Sequence, residues 1–357
     1  MNHGLKVRIK RNVSLSPFTA FKIGGRAEYF AEVKNKKEAR EAIRFAKDKK
    51  LPIFILGGGS NILISDKGFK GLVIKNSLKF FAVKKIKDKA RVRVGSGEKW
   101  DVFVERVVRV GWGGIENLSG VPGTIGAAPV QNIGCYGQSV EETIVAVKAL
   151  DITSGKMRTF GRGDCKFGYR TSVFRKQKSK KYFIMEVVFD LKIKGRPNTS
   201  SYPDIEKYFA GKRKQPSLKA MRKAIIEIRD RKGMIIKPGH ESYMSAGSFF
   251  KNPVVKKSLF KKIFMKIHGQ NGGTSNWFWN VQNGRVKISA ARLIEASGFK
   301  KGFRRKNVGI SPRQALAIIN CGGAKAKEIR ALAREIQRGV GKKFGVFLEP
   351  EVEFVGF

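Results

Sequence analysis

The sequence predicts a multidomain α+β protein, and three observations carry that reading. The chain has 357 residues, long for one core at roughly 150 residues per domain. Its hydrophobic fraction of 41% is enough to build real interiors. Short β-type apolar runs and helically spaced segments share the chain, with runs crowding the first half and several glycine clusters breaking them.

Taken in order, Asn12 to Gly25 reads as an irregular lead-in rich in turn residues. Lys36 to Lys50 places Ala39, Ala42, Ile43 and Ala46 at helical spacing. Pro52 to Leu56 reads as a buried strand that runs into Gly57-Gly58-Gly59-Ser60-Asn61, and Ile62 to Ser65 and Gly71 to Lys75 read as further strands. Phe80 to Ile86 and Ala90 to Val94 continue the pattern, and Trp100 to Val110 is a predicted helix. Beyond it, Ile144 to Asp151 and Phe183 to Leu191 are predicted strands, Leu218 to Arg231 and Ala326 to Val340 helices, and Val352 to Val355 a last strand.

Charge is the loudest compositional fact: 74 Lys and Arg against 28 Asp and Glu, a formal net charge of +46. A polycation gains affinity for nucleic acid by releasing phosphate counterions. Here, however, the cations are dispersed through every kind of segment and no nucleic-acid-binding module signature occurs, so the charge is read as a surface bias, not a nucleic-acid partner. Cys135, Cys165 and Cys321 are far apart, which excludes a disulfide framework and a zinc ribbon and fits the reducing cytosol. No metal site is expected. No apolar run approaches the roughly 18 residues of a membrane span, and the basic N-terminus is followed by no apolar signal core.

The stretch Asn117 to Gln138, NLSGVPGTIGAAPVQNIGCYGQ, is nearly uncharged and sets Gly120, Gly123 and Gly126 at three-residue spacing. Glycine permits positive φ and close backbone approach, at an entropic cost that a flat or phosphorylated ligand would justify. GGGSN lies at a strand end, where backbone amides converge on a phosphate or where the chain simply turns. Neither a P-loop nor a GxGxxG fingerprint is present.

Five blocks in order then point to a family: GGGSN at 57–61, NLSGVPGTIGAAPVQNIGCYG at 117–137, FGYRTSVF at 167–174, AGSFFKNP at 246–253 and FGVFLEPEV at 344–352. Together they resemble the signature blocks of the UDP-N-acetylenolpyruvoylglucosamine reductases, flavoproteins of bacterial peptidoglycan synthesis. The resemblance implies an α+β fold with a two-part FAD-binding region (PCMH-like) followed by an α/β substrate-binding domain. The expected parts are 12–77 and 78–200 for FAD, 201–343 for substrate, and 344–357 returning to the active site.

The resemblance also implies FAD as cofactor, NADPH as co-substrate and UDP-N-acetylglucosamine enolpyruvate as substrate. It places FAD against Gly57, Gly58, Gly59, Ser60, Asn61, Ser119, Gly120, Gly123, Thr124, Gly126 and Ala127. Arg170 becomes the arginine that stabilises the enolate, with Tyr169 beside it. On its residues alone Arg170 is one of many surface arginines, though its planar bidentate fork is what a carboxylate substrate needs.

Ser248 alone reads as a buried or capping serine. His3, His240 and His268 form no triad pattern with it, which argues against a hydrolase. The resemblance makes Ser248 the proton donor to C2 and Glu351 the glutamate that assists the enolate or positions the donor. Tyr202, Lys232 and Asn252 are the implied substrate contacts, Lys232 on the UDP phosphates, with Lys287 as another lysine that could reach them. A related flavin oxidase and a basic nucleic-acid-binding protein are the competing classes.

Overall fold

The computed structural model describes residues 7–175, 181–199, 202–211, 215–268, 277–281 and 283–357. The chain divides into two compact units. One holds Met1–Leu15, Arg26–Gly59 and Gly68–Asp230, the other Ser16–Gly25, Ser60–Lys67 and Arg231–Phe357.

The first unit opens on a four-stranded sheet in the order Ile9–Ser14, Arg26–Val33, Phe69–Asn76, Ile53–Leu56, parallel except for its antiparallel first strand. The irregular lead-in expected over Asn12–Gly25 begins as the end of strand Ile9–Ser14 and from there runs through a 3₁₀ turn at Ser16–Phe18 and further turns. Three of the strand's six residues are exposed because it is an edge strand, so its apolar alternation is weak.

Helix Lys36–Asp48 links two of these strands. Asn35 caps it by accepting from Glu38 N at 3.0 Å, and the Glu38 carboxylate accepts from Lys34 N at 2.7 Å. Its inner face, Ala39, Ala42, Ile43 and Ala46, packs with Ala31, Val33, Leu72 and Ile74.

A second, antiparallel sheet runs Met157–Gly161, Ile144–Asp151, Tyr182–Ile193, Lys89–Gly95, Phe81–Ile86. Its central strand, Tyr182–Ile193, is buried on both faces: Phe183 and Met185 join the core under the first sheet, and Ile184, Val187, Phe189 and Leu191 join a second core. That double burial is why it reads as a continuous apolar run and not an alternating one. Helix Trp100–Arg109 closes the second core, with the Phe103 and Phe189 rings 5.0 Å apart.

Helices Pro203–Phe209 and Leu218–Arg231 pack Ile205, Met221, Ile225 and Ile228 around Tyr136. Helix Pro203–Phe209 and all but the last residue of helix Leu218–Arg231 belong to this unit.

In the second unit, helices Lys257–His268, Ala290–Ala296 and Ala326–Phe344 surround one core that includes Phe249, Phe250, Leu293, Ile329, Ile336 and Leu348. Helix Ala326–Phe344 runs four residues past the predicted Val340. It ends at Gly345, whose φ of 67° closes the last turn. Asp66 caps its start, accepting from Ala326 N at 2.7 Å and Lys327 N at 3.0 Å. The last strand, Glu353–Val355, pairs in parallel with Ile62–Ile64. Two three-stranded sheets complete the unit: Val254–Lys256, Arg285–Ile288, Phe278–Val281, and Arg304–Arg305, Val308–Ile310, Ile318–Asn320.

Among the described residues no helix is long and apolar enough to cross a membrane, and no group of three or more His, Cys, Asp or Glu is placed to hold a metal ion.

Candidate active site

In the first unit the two glycine stretches lie backbone against backbone. A Cβ on Gly58 would stand 2.7 Å from Gly123 Cα, and one on Gly57 3.0 Å from Thr124 Oγ1. Gly59, Gly120 and Gly123 take φ of 64°, 69° and 122°, a region side-chain-bearing residues rarely enter. Gly126 N donates to Ser96 O at 2.8 Å, and a Cβ on it would stand 2.7 Å from Ser96 Cβ. Ile125 N donates to Glu98 O at 2.9 Å and Ala127 N to Thr124 O at 3.0 Å.

Ser119 and Thr124 are buried, and the Ser119 hydroxyl donates to Glu116 O at 2.6 Å. Lys75 Nζ donates to Gly57 O. Burial pulls that ammonium below the ordinary lysine range, against the raising pull of Glu32. Ser60 and Asn61, the remainder of GGGSN, belong to the second unit.

Arg170 sits in the turn closed by the Gly168–Thr171 bridge, at φ 53°. Ser172 Oγ donates to Val130 O at 2.7 Å, and Asn132 Nδ2 to Gly168 O at 3.2 Å, so the turn is laced to the Asn117–Gln138 stretch. Gly134 lies beside the guanidinium, and a Cβ there would make ordinary contact with Arg170 Nη1 at 3.6 Å. Tyr169 is 48% exposed, its ring centre 5.9 Å from the Arg170 guanidinium carbon.

Cys135, Tyr136 and Tyr202 gather in the same unit. The Cys135 thiol donates to Asn117 O at 3.2 Å, and the Tyr136 and Tyr202 rings meet edge to face at 5.1 Å. Burial, reinforced by Asp204, pushes the Tyr202 phenol up to about 12, so it is neutral at physiological pH. Burial also raises the Cys135 thiol, and Arg229 and Arg170 oppose that rise.

In the second unit the Ser248 and Glu351 stretches run antiparallel. Phe250 bridges Pro350, Glu351 N donates to Phe249 O at 2.8 Å, and Lys251 N donates to Glu349 O at 2.9 Å. Phe249 and Phe250 are fully buried and anchor the join. Asn61 Nδ2 donates to Glu351 O at 3.1 Å, fixing the backbone of a glutamate that is only 8% exposed. Glu349, which ion-pairs with Lys251, is the exposed member of the Glu349-Pro350-Glu351 run.

Asn252 Oδ1 accepts from Ala290 N at 2.9 Å, holding the start of helix Ala290–Ala296. Lys232 is half-buried before Gly233, whose φ is 66°. Lys287 lies over the Trp279 ring at 5.2 Å.

Within the first unit the structure thus brings together the glycines, Ser119, Thr124 and Ala127, and sets Tyr202 within electrostatic reach of Tyr169 and Arg170, while in the second it pairs the Ser248 and Glu351 stretches and ties Asn61 to Glu351. It also exposes residues the sequence reading passed over. Asp101 Oδ1 accepts from Gly120 N at 2.6 Å, and Tyr136 forms the floor under Tyr202. Asp101 is one acidic residue at a helix start, a common placement that signals nothing by itself.

A glycine wall with no room for side chains, meeting a second glycine loop at a strand end, suits a cofactor held through backbone amides at its pyrophosphate. The nearly uncharged character of that wall fits FAD. The fold and the wall define an FAD-binding protein of the two-part α+β class. A family model described as an FAD binding domain matches residues 27–161. A second, for the C-terminal domain of UDP-N-acetylenolpyruvoylglucosamine reductase, matches residues 238–355.

The chain belongs to the UDP-N-acetylenolpyruvoylglucosamine reductase family. It is 36% identical over 349 residues to the reductase of Thermobifida fusca, covering 97% of this chain and 98% of that one. To the reductase of Pseudomonas aeruginosa it is 35% identical over 348 residues, covering 97% and 99%. The crystal structure of UDP-N-acetylenolpyruvylglucosamine reductase from Thermus caldophilus shares the fold, with a TM-score of 0.67 at 23% identity over 98% of this chain and 99% of that one.

Proposed function

We propose that the chain reduces UDP-N-acetylglucosamine enolpyruvate to UDP-N-acetylmuramate, a peptidoglycan precursor, with FAD as cofactor and NADPH as co-substrate. The observation that carries the assignment of chemistry is the antiparallel join of the Ser248 and Glu351 stretches, which gives a hydroxyl and a buried carboxylate adjoining backbone supports. When bound, FAD would supply the hydride chemistry, relaying a hydride from NADPH to C3 of the enolpyruvyl group.

Arg170 meets the substrate carboxylate, into which negative charge flows as C3 gains the hydride. A planar, always-charged fork stabilises that charge better than a point cation does. Its turn is held from two sides by Ser172 and Asn132, so the guanidinium is aimed before substrate arrives. Ser248 Oγ gives its proton to C2, where a weak acid suffices because the carbon is strongly basic. Glu351 supports the enolate or orients the serine proton.

Tyr169 and Tyr202 cover the substrate, with Tyr202 acting as a neutral donor. Lys232 and Asn252 take the diphosphate, Asn252 through its amide nitrogen because its oxygen holds Ala290 N. Gly57 to Asn61, Ser119, Gly120, Gly123, Thr124, Gly126 and Ala127 hold FAD, in a division of 12–77 and 78–200 for cofactor, 201–343 for substrate and 344–357 for the strand carrying Glu351. The reaction is placed in the cytosol, with three free cysteines in keeping. No nucleic-acid role is assigned to the cations.

The test is the colour of the purified protein. A yellow protein bleached by NADPH and restored by UDP-N-acetylglucosamine enolpyruvate under nitrogen supports the proposal. A colourless protein that stays colourless after incubation with FAD, or one reoxidised by air and indifferent to the enolpyruvyl sugar nucleotide, rejects it.

A further inference from the structure

The start of helix Trp100–Arg109 grips the glycine wall at three successive backbone points. Trp100 Nε1 donates to Leu118 O at 3.0 Å, Gly120 N donates to Asp101 Oδ1 at 2.6 Å, and Trp100 N donates to Gly123 O at 3.1 Å. Asp101 is the charged member of this grip. A carboxylate in the first turn of a helix ordinarily serves that helix's own free amides. Here it reaches across to an amide of another segment, at a glycine whose φ is 69°.

A second clamp holds the carboxylate in place. Arg222, on helix Leu218–Arg231, forms a two-pronged ion pair with it, Nη1 to Oδ1 at 2.6 Å and Nη2 to Oδ2 at 3.0 Å. The Arg222 side chain is only 15% exposed. Arg229 lies on the same helix two turns on, 7% exposed, and adds its field to the Asp101 carboxylate. Burial pushes the Asp101 carboxyl up, but the hydrogen bonds from Arg222 and Gly120, with the attraction of both arginines, outweigh it and hold the group below the usual carboxylate range. The same helix packs Met221, Ile225 and Ile228 around Tyr136, which belongs to the wall itself. Helix Leu218–Arg231 therefore touches the wall directly at Tyr136 and through Asp101 at Gly120.

We propose that Asp101, clamped by Arg222, is a positioning residue for the cofactor: it fixes the Gly120 peptide and so sets the orientation in which the wall meets FAD. The proposal rests on the reading of Asn117–Gln138 as the FAD wall. Asp101 itself touches no cofactor atom in this account. It acts through the Gly120 amide, which without an acceptor would rotate or draw in water.

The test uses apoprotein prepared from wild type, Asp101→Ala, Asp101→Asn and Arg222→Gln, each titrated with FAD. Dissociation constants, the position of the flavin visible band and the thermal midpoints of apo and loaded forms are recorded. Loss of one well-made hydrogen bond to a charged group predicts FAD binding about tenfold weaker in Asp101→Ala, with a shifted visible band. Asp101→Asn retains an acceptor for Gly120 and is expected to recover part of that loss. Arg222→Gln, which frees the carboxylate to turn, is expected to bind FAD about threefold weaker.

A purely structural role would lower apo and loaded midpoints alike and leave affinity and band unchanged, and that result overturns the proposal. If Asp101→Ala does not fold, Arg222→Gln decides: an unaltered dissociation constant and band reject the positioning role. Should wild type itself take up no FAD, the reading of the wall fails instead, a distinct outcome.

Discussion

Glu351 donates its backbone N–H to the Phe249 carbonyl at 2.8 Å, so the buried glutamate is registered against the residue next to Ser248. The Phe250–Pro350 bridge continues that register on its other side. A serine and a glutamate carried on two backbones joined in this way cannot drift apart without breaking those hydrogen bonds.

Ser248→Ala is expected to leave bleaching by NADPH intact and to slow reoxidation by UDP-N-acetylglucosamine enolpyruvate by about 10²–10⁴-fold, the usual worth of a positioned general acid. Stopped-flow absorbance separates the two half-reactions. A variant that is reoxidised at the wild-type rate removes Ser248 from the proton transfer.

Arg170→Gly pits strain against function. A left-handed conformation costs a non-glycine residue about 1–2 kcal/mol, and glycine returns about 0.5–1 kcal/mol of that through the freedom of its unfolded chain. The thermal midpoint should therefore stay within a few degrees of wild type while kcat collapses. Arg170→Lys keeps the charge without the fork and is expected to fall between the two in kcat. Equal kcat for lysine and arginine would show that the planar fork is not needed.

Gly58→Ala tests the cradle. Its Cβ would come 2.7 Å from Gly123 Cα, a backbone atom that no rotamer change relieves. Overpacking of this kind costs about 1–3 kcal/mol. The protein should emerge largely without flavin, as read from the ratio of visible to ultraviolet absorbance. Gly163→Ala, at a glycine with open space around it and no positive φ, is the control for handling losses.

Acid sensitivity is expected from the second sheet. Burial pushes Glu186 up, but hydrogen bonds from Arg93 and Lys148 outweigh it, and Arg91 holds Asp190 down by hydrogen bonding. Both carboxyls lie lower in the folded protein than in the unfolded chain. Their stabilisation is complete above about pH 5 and disappears as the pH falls through the folded values. Glu186→Gln should lower the thermal midpoint at pH 7 and approach wild type as the pH falls below the ordinary glutamate range. Parallel curves at all pH values would exclude this linkage.

Much of the fold was legible where one segment settles its own state. Strand Ile144–Asp151 and helix Leu218–Arg231 fall at the predicted residues because their apolar spacing is strong. Strand Ile9–Ser14 was missed because its apolar residues, Ile9 and Val13, do not alternate. The site was legible as motifs and not as geometry. Nothing local in AGSFFKNP or LEPEV announces that they pair, and nothing around Asp101 points to Arg222, 121 positions away. Contacts of that kind are decided by packing across the whole chain.

The pairing of strand Ile62–Ile64 with strand Glu353–Val355 bears on how the protein is made. Asn61 and Glu351, at the head of this pairing, stand 290 positions apart. On the ribosome, the short insert Ser60–Lys67 emerges early and waits for nearly the whole chain before its partner exists. Leu63, fully buried in the finished protein, lacks most of its core partners throughout that interval. Expressing Arg231–Phe357 as a separate fragment would leave the same gap in reverse: a core lacking Phe21, Ile23 and Leu63, and a terminal strand with its partner missing.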